Sequence, residues 1–278
     1  MKIKKKPFYQ RPLCRELGAV LLAAAVLCVI LLLPEKPAGQ PEQTEQSTAR
    51  TEATGLIRNP LKPQDFVYEG DYMTCLSNAA VPGIDVSVWQ GQIDWQQVKA
   101  AGIQFAMLRL GYRSMTEGTI KEDSTAQTNY AGATAAQIPV GVYFFSQAIC
   151  VEEAVAEAEY VLETVKDWKL QMPIVFDWEP TGEDTRTAHV DARTLTDCAK
   201  AFLETVQQAG YTAMLYFNTH QAERGLYLEE LADYAFWLAQ YDQPMEFAYR
   251  VDMWQYTDKG SVPGIEGNVD MNLYFIYS

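Results

Sequence analysis

Two carboxylates stand one residue apart at the end of an apolar run, in the stretch MPIVFDWEP at residues 172–180. Side chains at positions i and i+2 of a strand point to the same face, and two residues of rise separate their Cα atoms by about 6.6 Å. Asp177 and Glu179 would therefore converge on one spot. Crowded carboxylates suit acid chemistry, because ionisation of one raises the pKa of the other and keeps a proton there near neutral pH.

A pair of this kind is also common as a salt-bridged structural feature, so the elements around it decide between the two interpretations. From residue 82 onward, short β-branched and aromatic runs alternate with helical stretches, which predicts βαβ units and a parallel sheet. After Asn218 three more strand-like runs follow with short connections. The strand-like runs are GIDVSVW, FAMLRLGY, VGVYFFSQ, PIVFDWE, AMLYFN, YAFWLAQY, VDMWQYT and VDMNLYFIY.

Five βα units followed by three strands predict an α/β fold, a TIM-like (β/α)5β3 barrel. A doubly wound sheet fits less well, because the first strand is not followed by a Gly-rich phosphate loop. Active sites of such barrels lie at the C-terminal ends of the parallel strands. Asp177 and Glu179 end the fourth strand, Asp85 lies in the first, and Arg109 is placed to point inward from the second. Asp270 reaches the same rim only if the last strand is reversed, which a connection without a helix allows.

Aromatic residues gather at the same strand ends, although half of such rings would be ordinary barrel core. Aromatic faces beside carboxylates suit carbohydrate, and cleavage of a glycoside needs a proton donor and a negative group that stabilises an oxocarbenium-like centre. The aromatic candidates are Trp89, Tyr112, Tyr143, Phe145, Trp178, Tyr216, Trp237, Tyr241 and Trp254. The side chains assigned to substrate binding are Asp85, Asp270, Tyr143, Tyr216, Trp237 and Trp254.

Other chemistries find little support in the sequence. There is no Gly-x-Ser-x-Gly elbow, and only His189 and His220 are available for a triad or a multi-His metal site. A divalent metal held by the four acids remains an alternative, but the prediction is an enzyme with neither metal nor cofactor. Three cysteines follow residue 33 without a Cys-x-x-Cys pair, which indicates neither a disulfide scaffold nor a zinc site.

The N-terminal segment differs from the rest of the chain. A basic tail at residues 1–16 precedes an uncharged apolar run at residues 17–33, which predicts a single-pass membrane anchor with a cytoplasmic N-terminus. Residues 34–77 are assigned to an extracellular linker, disordered where Pro, Glu, Gln and Thr dominate, and residues 78–278 to the barrel. The stretch LKPQDFVYEGDYMTCL has enough aromatic residues to dock on the barrel, and the sequence leaves its structure open. The barrel would face outward at the cell membrane, or be secreted if the anchor is cleaved.

The charge distribution bears on partners. The chain has a formal net charge of −14, and 35 of its 36 acids follow residue 33. A domain so acidic offers no phosphate-neutralising surface, so no nucleic-acid partner is expected. The sequence leaves the oligomeric state open.

Several motifs together resemble glycoside hydrolase family 25, the Chalaropsis-type lysozymes. They run in order from about residue 82 to the C-terminus: PGIDVSVWQGQIDWQQVKAAGIQFAMLRLGY, IPVGVYFFSQA, PIVFDWEP, FWLAQY and MWQYTDKGSVPGIEGNVDMN. The resemblance implies a (β/α)5β3 barrel that hydrolyses the β-1,4 bond between N-acetylmuramic acid and N-acetylglucosamine in the glycan strands of peptidoglycan. By motif position, Glu179 would be the general acid/base, and Asp177 would stabilise the substrate's 2-acetamido group or the intermediate. Asp85 and Asp270 would fill the other acidic positions of the cleft.

One departure from the family pattern and two rival functions remain. Many members have Val-Tyr-His-Phe in the third strand, where this chain has VYFF with Phe144, which indicates a difference in packing or subsite shape. The rivals are a peptidoglycan-binding module without catalysis and a glycosidase of another N-acetylhexosamine polymer. The intact pair of acids argues against the first, and the absence of alternating acids before Glu179 argues against a chitinase.

Overall fold

The computed structural model describes residues 55–277. The predicted basic tail (1–16), the predicted anchor (17–33) and the first part of the predicted linker lie outside the described residues. Within residues 55–277, no helix combines the length and the apolar character needed to cross a membrane.

The described residues form eleven strands and five α-helices. The strands are β1 (Phe66–Glu69), β2 (Tyr72–Cys75), β3 (Ala79–Val86), β4 (Phe105–Arg113), β5 (Ile120–Glu122), β6 (Val140–Ser146), β7 (Ile174–Trp178), β8 (Ala213–Asn218), β9 (Ala235–Ala239), β10 (Met253–Gly260) and β11 (Val269–Ile276). The α-helices are α1 (Trp95–Ala100), α2 (Ala126–Ala135), α3 (Val151–Val165), α4 (Ala192–Gln208) and α5 (Thr219–Arg224).

Eight of these strands close into a barrel. Strands β3, β4, β6, β7, β8, β9 and β10 run parallel in this order. The eighth strand, β11, closes the ring by pairing antiparallel with both β10 and β3. Each of the first five barrel strands is followed by a helix before the next barrel strand, and the last three are not. The predicted (β/α)5β3 order is confirmed, and the last strand is reversed, which is the condition under which Asp270 reaches the rim.

Burial explains why these segments take these forms. All five residues of β7 are buried, as expected for a parallel strand covered on one side by the barrel interior and on the other by helices. Helix α4 buries one stripe at spacings of three and four, which includes Leu195, Phe202 and Val206. The side chain of Asp191 caps its first turn by accepting from the backbone N–H of Thr194 at 2.7 Å.

The barrel has an inner and an outer apolar layer. The inner layer is formed by alternate residues of the strands: Phe105, Met107, Val175, Met214, Tyr216, Trp237, Ala239 and Met253. Asp177 lies two positions after Val175 and therefore points to the same inner face. The outer layer joins the strands to the helices and contains Phe144, whose ring packs edge-on 5.9 Å from that of Tyr160. The departure from the family's third-strand motif thus falls in the packing between barrel and helix.

The boundary predicted at residue 77 is wrong, because the described part of the predicted linker is folded onto the barrel. Strands β1 and β2 form a hairpin whose two-residue turn contains Gly70 at φ +65°. Phe66 and Met73 of this hairpin are buried, as are Leu56 and Leu61 before it. These short segments carry too few residues for a clear strand periodicity, and contacts with distant β10 and β11 hold them in place.

Phe66 anchors the hairpin. Its ring lies 4.7 Å from that of Trp254 and 6.1 Å from that of Phe275, and only 6% of the residue is exposed. We expect Phe66→Ala to lower the free energy of unfolding by about 3 kcal/mol through lost burial and a residual cavity. Thermal unfolding followed by circular dichroism should show a decrease in Tm of about 6–12 °C.

Tyr68 provides the matched control for this prediction. It belongs to the same strand, but 60% of it is exposed. Tyr68→Ala should cost less than about 1 kcal/mol. Equal losses for the two variants would mean that the hairpin is not held by the Phe66 contact.

Candidate active site

A cleft opens at the end of the barrel where the seven parallel strands finish. Its volume is about 770 Å³, including the space at its open mouth, which is the size of a small-ligand site. The structure brings all four sequence-predicted acids into this cleft and adds a fifth, Asp258. The acids that line it are Asp85, Asp177, Glu179, Asp258 and Asp270.

Strand β7 positions Asp177 and Glu179 by alternation. The intervening Trp178 points away from the cleft and donates its indole N–H to the carbonyl of Ala148 at 3.0 Å. Asp177 is only 5% exposed, and within the described part of the chain its Oδ1 has no hydrogen-bond partner. Glu179 follows the last residue of the strand and is half-buried. One acid therefore lies deep in the cleft, and the other lies nearer to its opening.

Burial raises the pKa of both acids. For Asp177 the pKa is well above its usual value, first because the carboxyl group is desolvated and then because Glu179 and Asp85 are nearby. For Glu179 desolvation and the charge of Asp85 raise the pKa. Because the carboxyl groups repel one another when both are charged, Asp177 and Glu179 titrate as a pair that retains a proton more readily than isolated carboxylates do.

Strand β11 brings Asp270 beside Asp85, its register partner on β3. Asp85 Oδ2 accepts from the amide of Gln255 at 2.7 Å and from the amide of Asn272 at 2.8 Å. These donors favour the ionised form of Asp85, although burial raises its pKa overall. Desolvation and the neighbouring Asp85 raise the pKa of Asp270 to about 9. The proton of this second pair therefore resides on Asp270 and the charge on Asp85.

Aromatic donors fix the orientation of the two amides. The indole N–H of Trp237 donates to Asn272 Oδ1 at 2.9 Å, so the amide nitrogen of Asn272 must face Asp85. The hydroxyl groups of Tyr216 and Tyr241 both donate to Gln255 Oε1. Trp237 and Tyr216 thus line the cleft as predicted, and they also keep Asp85 in place.

Arg109 supplies the positive charge of the cleft wall. Its Nε donates to Asp123 Oδ2 at 2.8 Å, and Asp123 is 1% exposed. The same Asp123 oxygen accepts from the backbone N–H of Val88 at 3.0 Å. The guanidinium partly offsets the rise in the pKa of Asp177. Its inward orientation confirms the sequence interpretation.

Two thirds of the aromatic candidates line the cleft, and one third do not. Those that line it are Trp89, Tyr143, Phe145, Tyr216, Trp237 and Tyr241. Tyr112 and Trp178 lie outside it. Tyr112 lies beside the guanidinium of Arg109, whose carbon is 5.5 Å from the ring centroid.

The assignment of Trp254 to substrate binding is wrong. The residue is 0% exposed and donates its indole N–H to the carbonyl of Gln240 at 2.9 Å. It is the second residue of β10, so it lies near the strand's amino end, and alternation turns it outward against Phe66 while Gln255 points inward. The sequence interpretation placed it at the wrong end of its strand.

The sequence interpretation missed three residues with amide side chains that belong to the site. Gln255 and Asn272 stand among apolar neighbours in MWQYT and MNLYF, and a polar residue at an inward position of a strand was the available signal. The third, Gln147, is fully buried after β6 and donates to the backbone carbonyl of Glu179 at 2.9 Å. Its Oε1 accepts from the hydroxyl of Thr181 at 2.8 Å. Gln147 therefore supports the loop that carries Glu179.

Asp270 should limit stability at neutral pH. In the unfolded chain its carboxyl group ionises above about pH 4, whereas the folded protein keeps it protonated to about pH 9. The free energy of unfolding is therefore not reduced by this group below about pH 4, and it falls as the pH rises toward the folded-state pKa of about 9. Asp270→Asn keeps a neutral donor for Asp85. We expect it to raise Tm at pH 7.5 by about 2–4 °C or more, which corresponds to at least about 1 kcal/mol, with no gain at pH 3.5.

The control for this prediction is Glu266→Gln, an exposed acid in the loop before β11. It removes the same unit of net charge without touching the cleft, so its effect should stay within about 0.5 kcal/mol at both pH values. Thermal melts of both variants at the two pH values make the comparison. A gain of Asp270→Asn that does not depend on pH would contradict the assignment of the proton.

Metal binding and thiol chemistry gain no support from the geometry. Among residues 55–277, no group of three or more His, Cys, Asp and Glu side chains is arranged to hold a metal ion. Cys75, Cys150 and Cys198 are free thiols, and Cys198 is buried in the core. Carboxyl groups, aromatic rings, one guanidinium, and the hydroxyl and amide groups of Ser87, Gln90 and Gln255 line this cleft.

Known proteins are similar to this chain in both sequence and fold. The sequence profile of glycosyl hydrolases family 25 matches residues 84–265. Lysozyme M1 of Streptomyces globisporus is 31% identical over 220 residues, which cover 70% of this chain and 68% of that protein.

Solved structures agree with this match. The modular autolysin LytC of Streptococcus pneumoniae, solved alone and in complex with a synthetic peptidoglycan ligand, superposes with a TM-score of 0.64 at 26% identity, over 75% of this chain and 52% of LytC. This chain thus spans about half of LytC. A bacterial lysozyme from Streptomyces coelicolor gives a TM-score of 0.58 at 25% identity, over 72% of this chain and 94% of that one.

Proposed function

The chain belongs to family 25 of the glycosyl hydrolases, and we propose that it is a lysozyme that cleaves the β-1,4 bond between N-acetylmuramic acid and N-acetylglucosamine in peptidoglycan. The observation that carries this proposal is the convergence of Asp85, Asp177, Glu179 and Asp270 in one cleft at the carboxyl ends of the parallel strands. A module that only binds glycan has no need of a proton donor beside a second carboxylate.

The environments of the acids support a division of roles. Glu179 is half-buried and lies nearer to the opening, where a glycosidic oxygen can reach it, and its raised pKa favours the protonated form that a general acid requires. Asp177 lies deeper, and burial raises its pKa further than that of Glu179 in the free protein. The proposal therefore requires that the proton lies on Glu179 and the charge on Asp177 when the glycan is bound. In this proposal Glu179 protonates the leaving oxygen, and Asp177 stabilises the positive centre or orients the 2-acetamido group.

The remaining members of the site bind and align the glycan. Asp85, held by two amides, offers the free lone pairs of its carboxylate to sugar hydroxyl groups, and Asp270, whose proton faces Asp85, offers its remaining oxygen lone pairs. Tyr143, Tyr216 and Trp237 form the aromatic wall of the cleft. LytC, which has been solved with a synthetic peptidoglycan ligand, shares this fold at 26% identity and supports the proposed substrate.

Product analysis tests the proposal. Purified peptidoglycan is digested with the full-length protein, the new reducing ends are reduced with borohydride, and the fragments are identified by mass spectrometry. A lysozyme creates reducing ends on N-acetylmuramic acid, whereas a glucosaminidase creates them on N-acetylglucosamine. Reduced N-acetylmuramic acid is the expected product. Reduced N-acetylglucosamine would overturn the bond assignment, and binding without new reducing ends would overturn catalysis.

The membrane attachment forms part of the same proposal. The apolar run at residues 17–33 follows a cluster of Lys and Arg, and this pattern supports an anchor with the barrel outside the cell. Peptidoglycan lies on that side of the membrane. The mass of the protein purified from membranes tests the anchor, because an intact N-terminus is expected. A mature protein that begins after residue 33 would contradict it.

A further inference from the structure

Trp89 stands at the rim of the cleft with 82% of its surface exposed. We propose that its indole face is a platform on which one sugar ring of the glycan stacks, away from the bond that is cut. This inference rests on the proposed function and adds a subsite to it. The chemical class of the ligand is a pyranose with an apolar C–H face, such as an N-acetylhexosamine.

The turn that carries Trp89 is fixed before any ligand arrives. Ser87 Oγ accepts from the backbone N–H of Trp89 at 3.3 Å, and Gln90 Oε1 accepts from the backbone N–H of Ser87 at 2.9 Å. Gln90 also donates to the backbone carbonyl of Asn268 at 3.3 Å, and Val88 donates its N–H to buried Asp123. These bonds fix the backbone from which the indole projects, so binding a ligand does not require the turn to be ordered first.

The other tryptophans of the chain are covered, which sets Trp89 apart. The chain has six tryptophans. Four of them are at most 6% exposed: Trp95, Trp178, Trp237 and Trp254. Trp168 is half-buried and stacks on Tyr130 with ring centroids 4.0 Å apart. Single exposed apolar residues are ordinary on protein surfaces, but an exposed indole on a fixed turn that lines the catalytic cleft has a ligand-facing position.

The position in the barrel separates the platform from the reacting acids. Trp89 follows β3, whereas Asp177 and Glu179 end β7, and β4 and β6 lie between these two strands. The exposed carboxylate of Asp258 and the guanidinium of Arg109 line the same cleft and are available to sugar hydroxyl groups. A sugar stacked on Trp89 thus belongs to a subsite that does not contain the cleaved bond. Its binding stabilises the ground state and the transition state equally. Removal of the ring should therefore raise KM and leave kcat nearly unchanged.

Fluorescence tests contact directly. Acrylamide is the suitable quencher because it is neutral, whereas iodide would be repelled by a chain of net charge −14. In the full-length Glu179→Gln variant, which is expected to bind without cutting, the quenchable emission should come mainly from Trp89. Saturation with soluble oligosaccharides of alternating N-acetylglucosamine and N-acetylmuramic acid should reduce quenching by at least about half. The Trp89→Phe, Glu179→Gln double variant should show neither signal. Quenching that is unchanged at saturation would overturn the proposal.

Kinetics on the otherwise native chain distinguish this proposal from the proposed function. Trp89→Ala should raise KM for peptidoglycan about tenfold with kcat within about twofold, and Trp89→Phe should recover most of the loss. The control is Tyr68→Ala, which removes an exposed aromatic residue of the hairpin that does not line the cleft, and it should behave as wild type. An unchanged KM in an active Trp89→Ala enzyme would overturn the platform alone. A wild-type protein that neither binds nor cuts peptidoglycan would overturn both.

Discussion

Replacement of Glu179 by Gln is expected to lower kcat for peptidoglycan by at least about 10³-fold, while Tm and glycan binding stay close to wild type. A positioned general acid contributes about 10²–10⁴-fold, and Gln keeps the shape of Glu without a proton that it can transfer. Because Gln has the shape of Glu and the side chain is only half-buried at the cleft opening, the substitution leaves no cavity. Release of reducing ends measures the rate, and sedimentation of the protein with insoluble peptidoglycan measures binding.

Glu183→Gln is the matched control for Glu179→Gln. Glu183 lies four residues later in the same connection and is exposed, but it does not line the cleft. Its substitution removes the same unit of charge and should change kcat by less than about twofold. A Glu179→Gln enzyme with at least one tenth of wild-type activity would remove Glu179 from the role of proton donor. Activity that is lost together with Tm would instead indicate a structural role.

The sequence predicts the barrel well because its strands are short, apolar and regularly spaced. The run Ile174–Trp178 is buried on both faces, and parallel strands of this kind are readable without any tertiary information. The reversed last strand also follows from a local argument, since Asp270 joins the other acids only in that direction. The register pair of Asp270 with Asp85 shows that the strand runs in the direction that brings the acids together.

The predictions that failed depend on contacts between distant residues. Residues 66–75 form strands of four residues, too short for a distinct period, and Trp254 on β10 stabilises them from nearly 190 positions away. Trp254 lies near the amino end of β10 and not at the cleft, and the sequence alone does not locate where this strand begins or which of its faces points inward. Element boundaries, more than element types, limited the assignment of the site.

The hydrogen bonds that orient Asp85 could not be predicted either, because they also join residues that are distant in sequence. Gln255 and Asn272 are 170 and 187 positions away from Asp85 in sequence. Their amide orientations depend on Tyr216 on β8, Trp237 on β9 and Tyr241 just after β9. Nothing local in the sequence relates these residues. What the sequence does contain is the list of acids, and the structure adds that two amide donors favour the charge on Asp85 while burial beside Asp85 favours the proton on Asp270.

Asp177→Asn is expected to lower kcat by about 10²–10³-fold and to change the pH profile of the rate in two ways. In the proposed mechanism the working form of the pair has the proton on Glu179 and the charge on Asp177, so activity falls at low pH when both are protonated and at high pH when both are ionised. Asn cannot supply the negative charge that stabilises the cationic centre, which explains the loss of rate. The acid limb should disappear, because the group that must ionise is absent.

The alkaline limb of Asp177→Asn should move to lower pH. In the proposed mechanism the charge of Asp177 disfavours ionisation of Glu179, because repulsion between two neighbouring carboxylates is mutual, so without that charge Glu179 should lose its proton at lower pH. Asp184→Asn, an exposed acid in the connection after β7, removes the same charge at a distance and should retain both limbs. Initial rates from pH 4 to pH 9 for the three proteins make the comparison. A variant that keeps the wild-type acid limb would show that another group, with Asp85 the first candidate, supplies the essential charge.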